Sequence, residues 1–120
     1  MTGHRWMYPC RVLRVVDGDT VDVEMDLGLR LYRHERIRFD GINAPEVRGH
    51  ERAAGEAAKL FVATWIDERA NKRPVRKWPF LLETTGESGG FGRWAGVLYH
   101  ETESLHDALL KSGHAVRVER

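Results

Sequence analysis

The sequence reads as a β-rich α+β domain, a five-stranded Greek-key barrel of the OB type with two helices packed on it. Three observations carry that reading. Apolar and polar residues alternate with period two over residues 20–27, and again, less regularly, over 29–39. One strong helical repeat, over 56–72, separates three strand-like segments from two more. The 120 residues are 42% hydrophobic and 31% charged, enough for one core and too apolar for a disordered chain, so residues 1–120 form a single domain. An open α+β sheet is the alternative with the same element order.

The elements follow from local chemistry. Residues 11–17 (Arg-Val-Leu-Arg-Val-Val-Asp) form a β-branched run stopped by Gly18. In the next strand Val21, Val23, Met25 and Leu27 point to one side, and Asp22, Glu24 and Asp26 to the other. After Gly28, residues 29–39 place Leu29, Leu31, Ile37 and Phe39 on one parity and Arg30, Arg36 and Arg38 on the other. An acidic face thus opposes a basic one, as in a long hairpin with cross-strand charge pairs.

Residues 41–55 are punctuated by Gly41, Asn43, Pro45 and Gly49 and read as loop. The helix over 56–72 carries its repeat on Ala57, Leu60, Phe61, Thr64, Trp65 and Glu68 and ends before Pro74. Residues 78–84 form a fourth strand, with Pro79 marking an edge or bulge. A Gly-rich loop over 85–92 leads to a fifth strand at 93–100. Ser104 caps a short helix over 105–111 that Gly113 terminates.

Several function classes drop out early. Cys10 is the single cysteine, so neither an internal disulfide nor a cysteine-based zinc site can form. The six histidines lack metalloprotease spacing. No apolar run approaches the roughly 18 residues of a membrane span, and the N-terminal ten residues lack the apolar centre of a signal peptide. The expectation is a cytoplasmic monomer without a membrane partner.

Three segments carry chemistry: Asp17-Gly18-Asp19-Thr20, Arg38 followed by Asp40-Gly41-Ile42-Asn43-Ala44-Pro45-Glu46, and Phe91-Gly92-Arg93. Each has an ordinary reading when taken singly, since Asp-Gly makes turns, Arg38 suits an acidic neighbour strand, and glycine before arginine is common. Together they supply more. Hard cations such as calcium take carboxylate, amide and carbonyl oxygens at about 2.3–2.6 Å. Asp19, Asn43 and Glu46 could provide such oxygens from two loops. Arginine matches phosphate with a planar fork of donors and stays charged, so Arg38 and Arg93 suit a phosphodiester gaining charge in a transition state.

In their order and spacing these motifs resemble those of the staphylococcal nuclease (thermonuclease) family, over about Val12 to Val116. The family pattern is an Asp-Gly-Asp-Thr turn, an arginine followed five residues later by Asp-Thr-Pro-Glu or Asp-Ala-Pro-Glu, and Tyr-Gly-Arg. The resemblance implies an OB barrel and a calcium-dependent nuclease acting on single-stranded DNA or RNA with little base specificity, leaving 3′-phosphate and 5′-hydroxyl ends. It implies Asp19, Asn43 and the Ala44 carbonyl as calcium ligands, with Asp17 behind them and Asp40 able to add negative charge. By the same resemblance Arg38 and Arg93 bind phosphate, and Glu46 is the general base. The same barrel also serves non-catalytic modules that bind nucleic acid or protein.

The sequence departs from the pattern at Asn43, where the family has a second aspartate. One negative charge fewer implies weaker calcium binding, by about an order of magnitude or more. Gly89 and Gly90 replace an acidic and a basic residue, and the base-stacking tyrosines that often follow in the family have no counterpart before Arg120. Affinity should then rest on phosphate contacts and be salt-sensitive. The net charge of +1 hides strong local differences: five acids and no base lie in 17–26, whereas 30–38 sums to +3 and 69–77 to +5.

Overall fold

A computed structural model describes residues 6–88 and 93–118. Five strands close into a barrel: β1 (Trp6–Asp17), β2 (Thr20–Asp26), β3 (Tyr32–Phe39), and, after the two-residue β4 (Ile42–Asn43), β5 (Phe80–Ser88) and β6 (Arg93–His100). The sheet order β3-β2-β1-β5-β6 is antiparallel throughout and is closed by parallel pairing of β3 with β6, Arg38 opposite Ala95. The five-stranded barrel and its two helices are those expected from the sequence. Helix α1 (Arg52–Ala70) lies between the third and fourth barrel strands, and α2 (Leu105–Ser112) follows the short β7 (Glu103–Ser104). A last short strand, β8 (Val116–Arg117), pairs with β4.

β1 starts five residues earlier than the β-branched run suggests, because it serves two neighbours. Its first part pairs Trp6–Cys10 with Thr84–Phe80, and from Cys10 onward it pairs with β2. Register shifts between Val12 and Arg14 and between Val15 and Asp17 bend it from one partner to the other. The alternation in β2 and β3 holds where it matters: Val21, Val23, Met25, Ile37 and Phe39 are all buried. It fails at the hairpin tip. Leu29 and Leu31 are 95% and 59% exposed, because Gly28, Leu29 and Arg30 all take positive φ in a turn closed by Leu27 and Leu31.

The outer faces of the hairpin pair as their charges demand. Arg36 holds Asp22 through two bonds of 2.8 and 3.2 Å, and Glu24 receives Arg11 at 2.7 Å and His34 at 3.1 Å. These pairs hold the carboxyls of Asp22 and Glu24 below the usual range. Arg30 takes no part in this ladder, since it sits in the turn.

The core joins Val21, Val23, Ile37, Phe39, Leu82 and Leu98 of the barrel to Val62, Trp65 and Ile66 of α1 and Leu105 and Leu109 of α2. α1 begins four residues before the expected start, and its buried face is Gly55, Ala58, Val62, Trp65 and Ile66. Of the stripe read from periodicity only Trp65 is buried; Leu60 is 67% exposed and Ala57, Thr64 and Glu68 are exposed. The helix is apolar around much of its girth, so periodicity left its rotation open by about one residue.

β5 begins after Pro79 rather than at Trp78, and it continues to Ser88, a bulge at Gly86 (φ +139°) keeping it paired to β6 through the segment expected to be loop. Residues 89–92 of that loop, including Phe91 and Gly92, lie outside the described residues. Ser104 accepts the Asp107 N–H at 3.0 Å and Gly113 ends α2 with φ +79°, both as the sequence predicts. Cys10 is fully buried, and burial pushes its thiol pKa up to about 12, leaving it a small apolar filler. Among the described residues, no helix is long and apolar enough to cross a membrane.

Candidate active site

The candidate site forms where the β1–β2 turn, the end of β3 and the loop after β4 meet the N-terminal part of α1. The turn is set by Asp17, whose Oδ1 accepts the Asp19 N–H at 3.1 Å. Gly18 is required by what lies over it. A Cβ built there would be 2.7 Å from the Cβ atoms of both Ala44 and Ala58, so only glycine lets the loop and the helix close on the turn.

Asp19 then joins its own turn to two distant segments. Its carboxylate is only 7% exposed. Oδ1 accepts from the Thr20 hydroxyl at 3.0 Å, and Oδ2 accepts the Ala44 N–H at 2.9 Å and lies 3.4 Å from Arg38 Nη2. The same Nη2 also donates to Asn43 Oδ1. Backbone register supports the cluster, with Phe39 N–H donating to the Asp19 carbonyl at 2.8 Å. The Arg38 Nε is buried and has no hydrogen-bond partner among the described residues, an orphan donor of the kind that folded proteins rarely leave.

The structure therefore brings together Asp17, Asp19, Arg38, Asn43 and Ala44. Glu46 follows Ala44 by two residues on the same loop, its backbone against Gly55 of α1 and its side chain exposed, without a hydrogen bond or ion pair to another described residue. Arg93 opens β6, exposed, two positions before the residue that pairs with Arg38, and strand alternation puts it on the same face. Asp40 is placed differently. Its backbone N–H donates to the Gly96 carbonyl at 3.0 Å, its carbonyl accepts from His106 Nε2 at 2.6 Å, and its exposed carboxylate joins no other described member of the site.

Sequence reasoning missed two neighbours. A cleft of about 290 Å³ beside the site is lined by Asn43, Ala44, Pro45, Glu51 and His114. His114 also packs on Phe61, ring centroids 4.9 Å apart, and Glu51 belongs to a short 3-10 turn preceding α1. Neither carries a motif signal; each arrives by the way the two helices close on the barrel.

The donor chemistry suits a hard cation in kind: two aspartate carboxylates and an asparagine amide oxygen are present, and two of these three groups already hold a positive guanidinium. Among the described residues no cluster of three or more His, Cys, Asp and Glu side chains that could hold a metal forms, so a cation would need amide and backbone oxygens besides carboxylate.

Burial, helped by the hydrogen bond and charge of Asp19, pushes the Asp17 pKa up to about 6 from 3.8. A raised acid pKa means that the folded state binds the proton more tightly than the unfolded chain. The stability so contributed is complete below about pH 3.8 and is lost as pH rises through 6. Asp17→Asn keeps an acceptor for the Asp19 N–H and removes the penalty. In divalent-free buffer it should stabilise the fold by about 1–2 kcal/mol at pH 7, and the gain should vanish near pH 4. Urea titrations at both pH values measure this, and an equal effect at each would refute it.

Compared with known proteins, the sequence matches no family model and no curated protein.

Proposed function

We propose that the chain is a calcium-dependent nuclease that hydrolyses phosphodiester bonds of single-stranded DNA or RNA with little base specificity, leaving 3′-phosphate and 5′-hydroxyl ends. One observation supports this above the rest: a single buried carboxylate, Asp19, gathers the arginine and the Asn43–Ala44 loop whose motifs resemble those of staphylococcal nucleases.

The chemistry assigns each residue a task. Asp19, Asn43 and the Ala44 carbonyl would hold the cation, with Asp17 behind Asp19. When bound, calcium adds positive charge against the phosphate oxygens. A phosphate oxygen would supply the acceptor that Arg38 Nε lacks, and Arg93 approaches from β6; both neutralise charge that grows as phosphorus becomes five-coordinate. Glu46, exposed and uncommitted, takes a proton from the water whose oxygen attacks phosphorus. The P–O bond to the 5′-oxygen breaks, and that oxygen leaves as a hydroxyl after protonation. Asp40 lies outside this set, and its role is structural through its backbone.

A second reading has its own observation. Arg38 Nη2 lies on both Asp19 and Asn43, so the arginine itself supplies the positive charge between these oxygens. That arrangement favours a barrel that binds nucleic acid, or a protein, without turnover. Incubation of the pure protein with single-stranded DNA, with calcium or with a chelator, separates the two. Cleavage that requires calcium supports the nuclease; tight binding without cleavage at calcium well above millimolar sinks it. Asn43→Asp restores a charge and should lower the calcium needed for half-maximal cleavage by about tenfold. An unchanged calcium requirement would remove Asn43 from the ligand set.

A further inference from the structure

The basic stretch 69–77 takes no part in the proposed site. Gly55, packed against the candidate loop, and Ala70 lie fifteen residues apart on α1, about 22 Å at the helical rise. Residues 71–77 are exposed throughout. With the end of α1 they border a cavity of about 150 Å³ whose wall includes Arg69, Lys72, Arg73, Arg76, His100 and a single acid, Glu101. The volume admits a phosphate group.

The five cations of the stretch are not equivalent. Arg69 is committed, 2.8 Å from Glu103 and 4.2 Å above the Trp65 ring, and Lys72 faces Glu101 at 3.8 Å. Arg73 and Arg76 have no acidic partner among the described residues, though both line the cavity. Lys77 turns instead to an aromatic pair. Tyr32 and Trp78 stack with centroids 5.7 Å apart and planes 18° from parallel, and the Lys77 ammonium lies 5.5 Å from each ring. Tyr32 is 50% exposed, so the pair is open to solvent beside the Lys77 ammonium.

Unpaired arginines at a cavity, followed directly in the chain by a lysine and a solvent-exposed aromatic stack, supply the combination that single-stranded nucleic acid uses: phosphates on the cations, a base on the ring. Lipid headgroups would use the cations but not a stacked pair. We propose that this surface is a second, sequence-independent binding site for single-stranded nucleic acid, with Arg73 and Arg76 on backbone phosphates and a base against Tyr32–Trp78. It rests on the nucleic-acid reading above but requires no cleavage. Its consequence is length selectivity: a strand reaching from the Asp19–Arg38 end to the far end of α1 is held at both.

The test is fluorescence anisotropy with labelled oligothymidylates in chelator, one about 20 nucleotides long and one about five, against wild type, Arg73→Gln/Arg76→Gln and Tyr32→Ala. The double variant should bind the long strand about tenfold more weakly, with the slope of log affinity against log salt reduced by about 1.4, and should lose clearly less affinity for the short strand, which can occupy the Asp19–Arg38 end alone. Tyr32→Ala should weaken the long strand at least about fivefold with no change in salt slope. Unchanged urea midpoints confirm that both variants fold. Long-strand affinity untouched by the double substitution overturns the proposal, as does an equal loss for both lengths. So does loss of binding to phosphatidylserine vesicles with oligonucleotide binding intact, which would mark a membrane surface. Length-selective binding in a protein that never cleaves with calcium upholds this site and defeats the nuclease reading alone.

Discussion

Arg38→Ala is expected to lower cleavage of single-stranded DNA about a thousandfold or more, the scale set by removing a charged donor from a phosphoryl transition state. The same change acts on the fold. Arg38 is 26% exposed and its Nη2 serves both Asp19 and Asn43, so its loss leaves a carboxylate that is 7% exposed with only Thr20 and the Ala44 N–H. That partial loss should cost about 1–3 kcal/mol. Activity must therefore be read beside a urea titration, at a denaturant-free condition where the variant is folded. Arg38→Lys separates the two contributions. A lysine keeps a positive charge near Asp19 and most of the stability, but cannot present the planar fork, so the rate should stay low. Glu46→Ala should lower the rate by about a hundredfold or more with no stability cost, because that side chain holds no described partner. A variant at Arg38 that is folded and cleaves at the wild-type rate would remove the arginine from the chemistry.

Much of this was legible in the sequence where the cause is local. The Thr20–Asp26 alternation specifies burial of Val21, Val23 and Met25, because one period-two strand can turn only one face inward. Ser104 and Gly113 mark the ends of α2 because capping is decided by a few adjacent residues. The convergence of the first two motifs was also legible, through their order. What escaped depends on contacts between distant elements. Leu29 and Leu31 fit the alternation yet are exposed, since a turn with three positive φ angles takes them off the sheet. The rotation of α1 is chosen by the small-residue contact of Ala58 with Gly18 and Ala44, and a helix with Leu60, Phe61, Val62 and Ala63 in a row does not announce it. Likewise, the bond that Asn43 Oδ1 accepts from the arginine five residues earlier depends on how the loop folds back on β3, which no local pattern shows. The total charge of +1 hides the same logic, with acids at the β1–β2 turn and cations at the far end of α1.

Gly55→Ala should be among the most damaging single substitutions in the chain, although alanine is the better helix former by about 1 kcal/mol. Gly55 lies inside α1 against the segment that carries Glu46. A Cβ there would sit 2.0 Å from the Glu46 carbonyl oxygen, 2.3 Å from its carbon and 2.7 Å from the Val47 nitrogen. All three are backbone atoms, so no rotamer change relieves the overlap; the helix must lift or the loop must shift. Overpacking of this kind costs typically about 1–3 kcal/mol, occasionally more, and here it exceeds the propensity gain, for a net loss of about 2 kcal/mol. The displacement also falls on the site. Moving the backbone of Glu46 carries with it the loop that starts at Asn43 and whose Ala44 N–H is bonded to Asp19, so activity per folded molecule should fall as well. Ala57→Gly, at an exposed position of the same helix, is the control: it should cost about 1 kcal/mol through propensity alone and leave activity per folded molecule intact. A Gly55→Ala protein as stable as wild type and equally active would show that helix and loop do not touch at this point, and with that contact would go the packing that fixes the Glu46 backbone against α1.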